Sequence, residues 1–153
     1  MHRSSEVIAR LRGKTLATAE SCTGGGIGAA LTAVPGSSAV YKGGIISYTN
    51  WVKENVLGVD RLLLTEQGAV SAPVAKAMAE GVRKVLQADI AVSVTGLAGP
   101  GGDDFGNPVG TVFIGYCDKD KVCAKQFYFA GDREEVRKQS VCAALQIVLN
   151  ENM

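Results

Sequence analysis

Histidine is nearly missing from this chain: His2 is the only one among 153 residues, and it sits in a terminal segment expected to be mobile. A Ser-His-Asp or Cys-His nucleophile therefore has no plausible base. A transition-metal centre of imidazole and thiolate has almost no ligands, so no metal site and no cofactor are expected. The four cysteines, Cys22, Cys117, Cys123 and Cys142, contain no C-x-x-C pair. Cys117 and Cys123 flank a DKDK turn and read as two buried thiols on neighbouring strands. A disulfide framework is not expected in a domain of this size. No apolar run approaches the ~20 residues that span a bilayer. The N-terminal stretch MHRSSEVIARLRGK has no signal-peptide core, which predicts a cytoplasmic protein without a membrane partner. Charge of one sign is also lacking. The net charge of +1, with no long basic run, disfavours a nucleic-acid partner.

What is abundant is glycine, 19 residues of it, which implies tight turns and close backbone approaches. Length predicts one domain over 1–153. Apolar periodicity predicts helices over 4–12, 24–33, 50–57 and 72–87, with a turn or two of helix over 62–67 and a last helix after Asp132. Thr23 suits the cap of the second helix and Ser71 that of the long one, whose stripe is Val74, Met78, Val82 and Val85. Asp132 and Glu135 make an acidic capping box. Strands are predicted over 15–19, 40–48 (interrupted by Gly43 and Gly44), 89–95, 109–117 and 122–129, the last two as a hairpin. This order predicts an α/β fold: a three-layer α/β/α sandwich on a mixed sheet of about five strands. Ligands of such sheets bind at the carboxyl ends of the strands. Three unusual loops leave those ends, at 20–25, 48–53 and 96–108.

The loop AESCTGG (19–25) carries three nucleophiles in a row, Ser21, Cys22 and Thr23, between Glu20 and the glycines 24 and 25. GGGIGA (24–29) matches G-x-G-x-x-A, but the acidic residue required about 20 positions on is replaced by Tyr48 and Thr49, so a dinucleotide site is not assigned. The first N–H groups of the following helix suit an oxyanion or a phosphate. With histidine gone, the remaining bases are Lys, Glu, Asp and Tyr. SYTNWVK (47–53) offers Lys53 about one helical turn after Tyr48, which is in place to relay a proton or orient the amine. A lysine is a base only when neutral, and burial provides the necessary drop in pKa. The glycines of VTGLAGPGG (94–102) expose N–H groups able to cradle an anion. Arg133 and Arg137, four apart, can clamp a phosphate or carboxylate.

AESCTGG (19–25), GGIISYTNWVK (43–53), GAVSAPVAKAMAEGV (68–82), TGLAGPGG (95–102), PVGTV (108–112) and GDREEVR (131–137) together resemble one family in order and spacing. It is the CinA C-terminal domain family, whose enzymatic members are nicotinamide mononucleotide (NMN) amidohydrolases. The resemblance implies hydrolysis of the NMN carboxamide to nicotinic acid mononucleotide and ammonia, by a Ser/Lys amidase needing no metal. It implies Ser21 as nucleophile, Lys53 as base and Tyr48 as auxiliary. Thr95, Gly99, Gly101, Gly102 and Arg137 match the family's other site residues, and Glu20, Thr23, Gly24 and Gly25 of the turn are expected at the substrate with them, the N–H groups around 23–25 holding the oxyanion. Glu20 is expected to orient Lys53 or the turn backbone. The phosphate is assigned either to the GPGG loop with Arg137 and Arg133 or to the helix start at 23–25. The family's fold is the sandwich already expected, and its members are commonly homo-oligomers, at least dimers. Many relatives carry this domain behind a larger N-terminal one, whose activity is not expected of these residues. DDFGN (103–107) departs from the charged segment common in relatives. Two alternatives stay open: a catalytically silent nucleotide-binding module acting through partners, and an amidase for another small amide.

Overall fold

The computed structural model describes residues 2–153, with the backbone alone at His2; the expectation made for that histidine lies outside the described residues. The sheet comprises β1 (Leu16–Glu20), β2 (Tyr41–Ile46), β3 (Ile90–Gly96), β4 (Thr111–Cys117) and β5 (Val122–Tyr128), in the order β2-β1-β3-β4-β5. The first three run parallel, and β4 and β5 are antiparallel additions. β1 and β3 are buried along almost their whole length, as a strand covered on both faces must be. The sheet is the mixed five-stranded one expected.

Helices α1 (His2–Arg10), α2 (Gly26–Thr32) and α6 (Arg133–Glu151) cover one face. Their core includes Val7, Leu11, Ile27, Leu31, Val136, Leu145 and Val148, packed on Leu16, Ile90, Val92 and Ile114. Helices α3 (Asn50–Asn55), α4 (Arg61–Gln67) and α5 (Ala72–Leu86) lie on the other face. There the inward strand positions are small, Ala17, Ala19, Ala91, Ser93 and Gly115, so α5 lies close to the sheet. The Ser93 hydroxyl donates to the Ala75 carbonyl at 2.6 Å, and a side chain at Gly115 would run into that same carbonyl.

Several local expectations shift. The helix predicted from residue 24 starts at Gly26, because Gly24 and Gly25 take φ values of 59° and 102° that end helical geometry. Its cap position is therefore Gly25, not Thr23. Ser71 does precede α5, but its hydroxyl donates back to Gly68 O at 2.8 Å. Val85, in the last turn of α5, is 50% exposed, and Ala75 and Ala79 complete the buried stripe. The Asp132/Glu135 capping box of α6 forms in both directions. The β1–β2 register shifts at Lys42, next to Gly43 (φ 148°), so the glycine pair does mark a bulge. Cys117 is buried and Cys123 half-buried on the neighbouring strands β4 and β5.

Candidate active site

Because β1, β2 and β3 are parallel, the loops that follow them open at one edge of the sheet. Pairing continues past the strand ends: Ser21 N–H donates to Val94 O at 3.0 Å, and Ser47 N–H to Glu20 O at 2.8 Å. These bonds fix the start of the nucleophile loop against both neighbours. The cavity above it, about 470 Å³, is lined by Ser21, Cys22, Tyr48, Asn50, Lys53, Thr95, residues 96–102 and Arg133, with Ala69 and Val70 as an apolar wall. That volume falls in the usual range for a small-molecule site.

Lys53 is the centre of the arrangement. Thr49 caps α3, taking the Val52 N–H on its side chain, and one turn on α3 carries Lys53 inward, 1% exposed. Its Nζ lies 3.1 Å from Ser21 Oγ, 2.7 Å from Ser47 O and 3.4 Å from Tyr48 O. Two carbonyls thus take two of its N–H bonds, and the third direction faces the serine. No carboxylate pairs with the amine among the described residues. Burial pushes its pKa down from 10.5 to about 8, opposed weakly by the Cys22 thiol. Cys22 takes the opposite direction: burial raises its thiol to about 11, outweighing Arg137 and Lys53 nearby. A thiol so protonated is a poor nucleophile. Of the three candidates in the row, only Ser21 meets the amine.

Glu20 and Thr23 face away from the cavity. The Glu20 carboxylate, 2% exposed, accepts from Thr23 Oγ1 (2.7 Å) and Ile27 N–H (2.8 Å) on one oxygen. The other oxygen accepts from Gly28 N–H (2.9 Å) and Thr18 Oγ1 (3.4 Å). Of the two expectations for Glu20, it holds the turn backbone and does not touch Lys53. Its negative charge occupies the start of α2, so a phosphate there would meet a carboxylate. Gly24 N–H donates to Ser21 O (3.1 Å) and Gly26 N–H to Thr23 O (3.0 Å). Thr23, Gly24 and Gly25 do not border the cavity. Of this turn only Ser21 and Cys22 border it, facing residues 96–102 of the second loop.

The second loop supplies the opposite wall. Thr95 lines the cavity with its hydroxyl bonded to Ala69 O at 2.8 Å. Among the described residues, the N–H groups of Ala98, Gly99, Gly101 and Gly102 have no acceptor in the protein. The two arginines of α6 have separate roles. Arg137, expected at the substrate, donates to Cys22 O (3.0 Å) and Thr23 O (3.3 Å) and lies behind the turn. Arg133, one turn earlier, reaches the cavity mouth, donating to Gly99 O (2.7 Å) and to the Tyr48 hydroxyl (3.2 Å). Tyr48 lines the cavity, 58% exposed, with its hydroxyl turned to Arg133; the amine of Lys53 meets only its backbone carbonyl. Asn50, at the start of α3, also lines the cavity and was not singled out from sequence; its place beside Lys53 in YTNWVK was the available signal. The DDFGN segment folds on Asp103, which accepts from Phe105 and Asn107 N–H groups, while Asn107 Nδ2 donates to Val70 O at 3.2 Å.

Fold and site together define a class: an α/β/α domain presenting a buried serine–lysine pair beneath a glycine-rich loop, at the carboxyl ends of three parallel strands. The chain belongs to the CinA C-terminal domain family, whose pattern matches residues 2–152. It is 50% identical over 135 residues to a CinA-like protein from a Synechococcus species, covering 87% of this chain and 32% of that protein. It is 48% identical over 141 residues to a CinA-like protein of Geobacter sulfurreducens, covering 90% and 34%. The chain therefore spans about a third of the length of these curated relatives. Among solved structures it is similar to a competence-damaged protein (CinA) superfamily protein from Enterobacter cloacae, with TM-score 0.96 and 31% identity, covering 99% of this chain and 90% of that one. It is also similar to the competence/damage inducible protein CihA from Agrobacterium tumefaciens, with TM-score 0.95 and 39% identity, covering 99% and 94%. Among the described residues no helix is long and apolar enough to cross a membrane, and no group of His, Cys, Asp and Glu is arranged to hold a metal.

Proposed function

We propose that the protein is an amidohydrolase that removes ammonia from the carboxamide of NMN by a Ser21/Lys53 acyl-enzyme mechanism. The observation that carries this reading is the buried amine of Lys53, at 3.1 Å from Ser21 Oγ and with its pKa lowered to about 8. Near neutral pH a useful fraction of that amine is unprotonated. The carbonyls of Ser47 and Tyr48 hold two of its N–H bonds, which leaves the lone pair of the neutral amine directed at the serine.

In the first step Lys53 takes the Ser21 proton as Oγ bonds to the carboxamide carbon. The carbonyl oxygen becomes an oxyanion, stabilised at the cavity wall by the backbone N–H of Cys22 on the nucleophile turn. Collapse re-forms the carbonyl and breaks the C–N bond, and the Lys53 ammonium gives its proton to the departing amide nitrogen, which leaves as ammonia. Water then attacks the ester with Lys53 again as base, releasing nicotinic acid mononucleotide and restoring Ser21 O–H. The substrate's phosphate lies at the other end of the cavity, where Arg133 and the unbonded N–H groups of Gly99, Gly101 and Gly102 form an anion cradle. The reading keeps the expectation of a cytoplasmic protein.

The test is ammonia release from NMN by the purified protein, beside Ser21→Ala and Lys53→Ala variants. Turnover by the wild type and its loss in both variants supports the amidase. NMN binding without turnover in the wild type sinks it in favour of a silent binding module, and turnover of other amides but not of NMN reassigns the substrate.

A further inference from the structure

The nucleophile turn is gripped by groups that never reach the cavity. Glu20 directly precedes Ser21, and as strand neighbours their side chains take opposite sides of the sheet. The Glu20 carboxylate collects four donors: two hydroxyls, from Thr18 and Thr23, and two backbone N–H groups, from Ile27 and Gly28 in the first turn of α2. It thus ties the end of β1 to the start of α2 across the five residues of the turn. Hydrogen bonds to an ionised carboxylate are about twice as strong as neutral ones. From outside, Arg137 takes the Cys22 and Thr23 carbonyls. Within the turn, Gly24 and Gly25 hold positive φ, and the only backbone bonds are short ones, Gly24 N–H to Ser21 O and Gly26 N–H to Thr23 O, among the described residues.

We propose that Glu20 is a positioning residue for Ser21: its carboxylate locks the β1–α2 turn so that Ser21 Oγ stays within hydrogen-bond reach of the Lys53 amine. The inference rests on the reading of Ser21 as a Lys53-activated nucleophile. A glutamine at 20 keeps the shape, but its NH2 group turns a donor toward a backbone N–H. At least one of the two bonds to α2 is lost, and the turn relaxes. A displacement of about 1 Å at a nucleophile lowers rate by about 10²-fold.

The experiment uses a fluorophosphonate probe, which needs no NMN. Attack by Ser21 Oγ forms an O–P bond and expels fluoride, with the serine proton passing to Lys53. Labelling of Ser21 in the wild type, lost in Lys53→Ala, tests the nucleophile by itself; its absence overturns the underlying reading. Given that labelling, Glu20→Gln is expected to label about 10- to 100-fold more slowly. Its kcat on NMN falls by a similar factor with KM within about two-fold, because the change leaves the cavity lining intact. Thr23→Val, which removes one hydroxyl and keeps the carboxylate and its two backbone bonds, shows a smaller loss in the same direction. Unfolding midpoints of each variant identify loss of fold, and the Thr23→Val pair with wild type remains readable if Glu20→Gln does not fold. Labelling of folded Glu20→Gln and Thr23→Val at the wild-type rate overturns the proposal, as does a rise in KM with kcat unchanged.

Discussion

The two ends of the sheet each bury a titratable side chain, and they treat it in opposite ways. At the edge where β4 ends, Tyr116 is 0% exposed, donates its hydroxyl proton to Asp118 (2.8 Å) and accepts from Asn152 (3.0 Å). Burial and the Asp118 carboxylate both drive its pKa upward, so it stays neutral and inert. At the edge where β1, β2 and β3 end, Lys53 is equally buried but meets only carbonyls and a serine hydroxyl. With no counter-ion, burial moves it toward its neutral form, which is the basic one. Burial with a strong proton acceptor makes a structural contact. Burial of a cation without one, beside an open cavity, makes a base.

The largest effects break this contrast at the cavity end. Ser21→Ala and Lys53→Ala each lower kcat by about 10²–10⁴-fold or more, while Tyr116→Phe stays within about two-fold in the same ammonia assay. Next is the pH dependence of stability. A fall in pKa from 10.5 to about 8 corresponds to about 3 kcal/mol of penalty on the folded state below pH 8, where the buried ammonium must be kept charged. As pH rises from about 8 to about 10.5 the unfolded chain binds the extra proton, so stability increases with pH and the penalty vanishes. Lys53→Met is therefore more stable than wild type at pH 7, by up to about 3 kcal/mol, and denaturant titrations at pH 7 and pH 10 show the gap closing. A gap that does not change with pH would refute the lysine's depressed pKa. By the same logic, kcat/KM for NMN rises with pH and levels off above about 8.

Smaller effects sharpen the comparison. Arg133→Gln raises KM for NMN about 10-fold with kcat little changed, measured against the Arg137 side, where substitution disturbs the nucleophile turn and lowers kcat instead. Tyr116→Phe costs about 1 kcal/mol by loss of the Asp118 bond, with no pH dependence from that hydroxyl below about pH 10, as urea unfolding would show.

Much of this was legible in the residues. Apolar patterning and turn residues placed the five strands and six α-helices of the described residues but not the short 3₁₀ helix Ser37–Ala39, and the shortage of histidine narrowed the base to Lys, Glu, Asp or Tyr, among which the resemblance pointed to Lys53. Arg137 was expected at the substrate ahead of Arg133, yet Arg133 is the one that lines the cavity, because positions four apart on a helix share a face and only the packing of α6 decides which meets the cavity. Thr23 looked like a cap because its chemistry suits one; two glycines in left-handed conformation moved the helix start past it. The partner of Glu20 was equally hidden, since a carboxylate preceding a nucleophile reads the same whether it points into the site or beneath it.

The sequence by itself determined the α/β/α order, the three loops that share one sheet edge, and a choice of base narrowed to Lys, Glu, Asp or Tyr. These follow from local periodicity and from which chemical groups exist in the chain at all. Tertiary structure alone decided that Lys53 is buried without a counter-ion, that Glu20 and Arg137 hold the turn from behind, and that Arg133 stands at the mouth. Each of those depends on long-range contacts, and a desolvation penalty or a hydrogen-bond partner is set by what surrounds a group in space rather than by its neighbours in sequence.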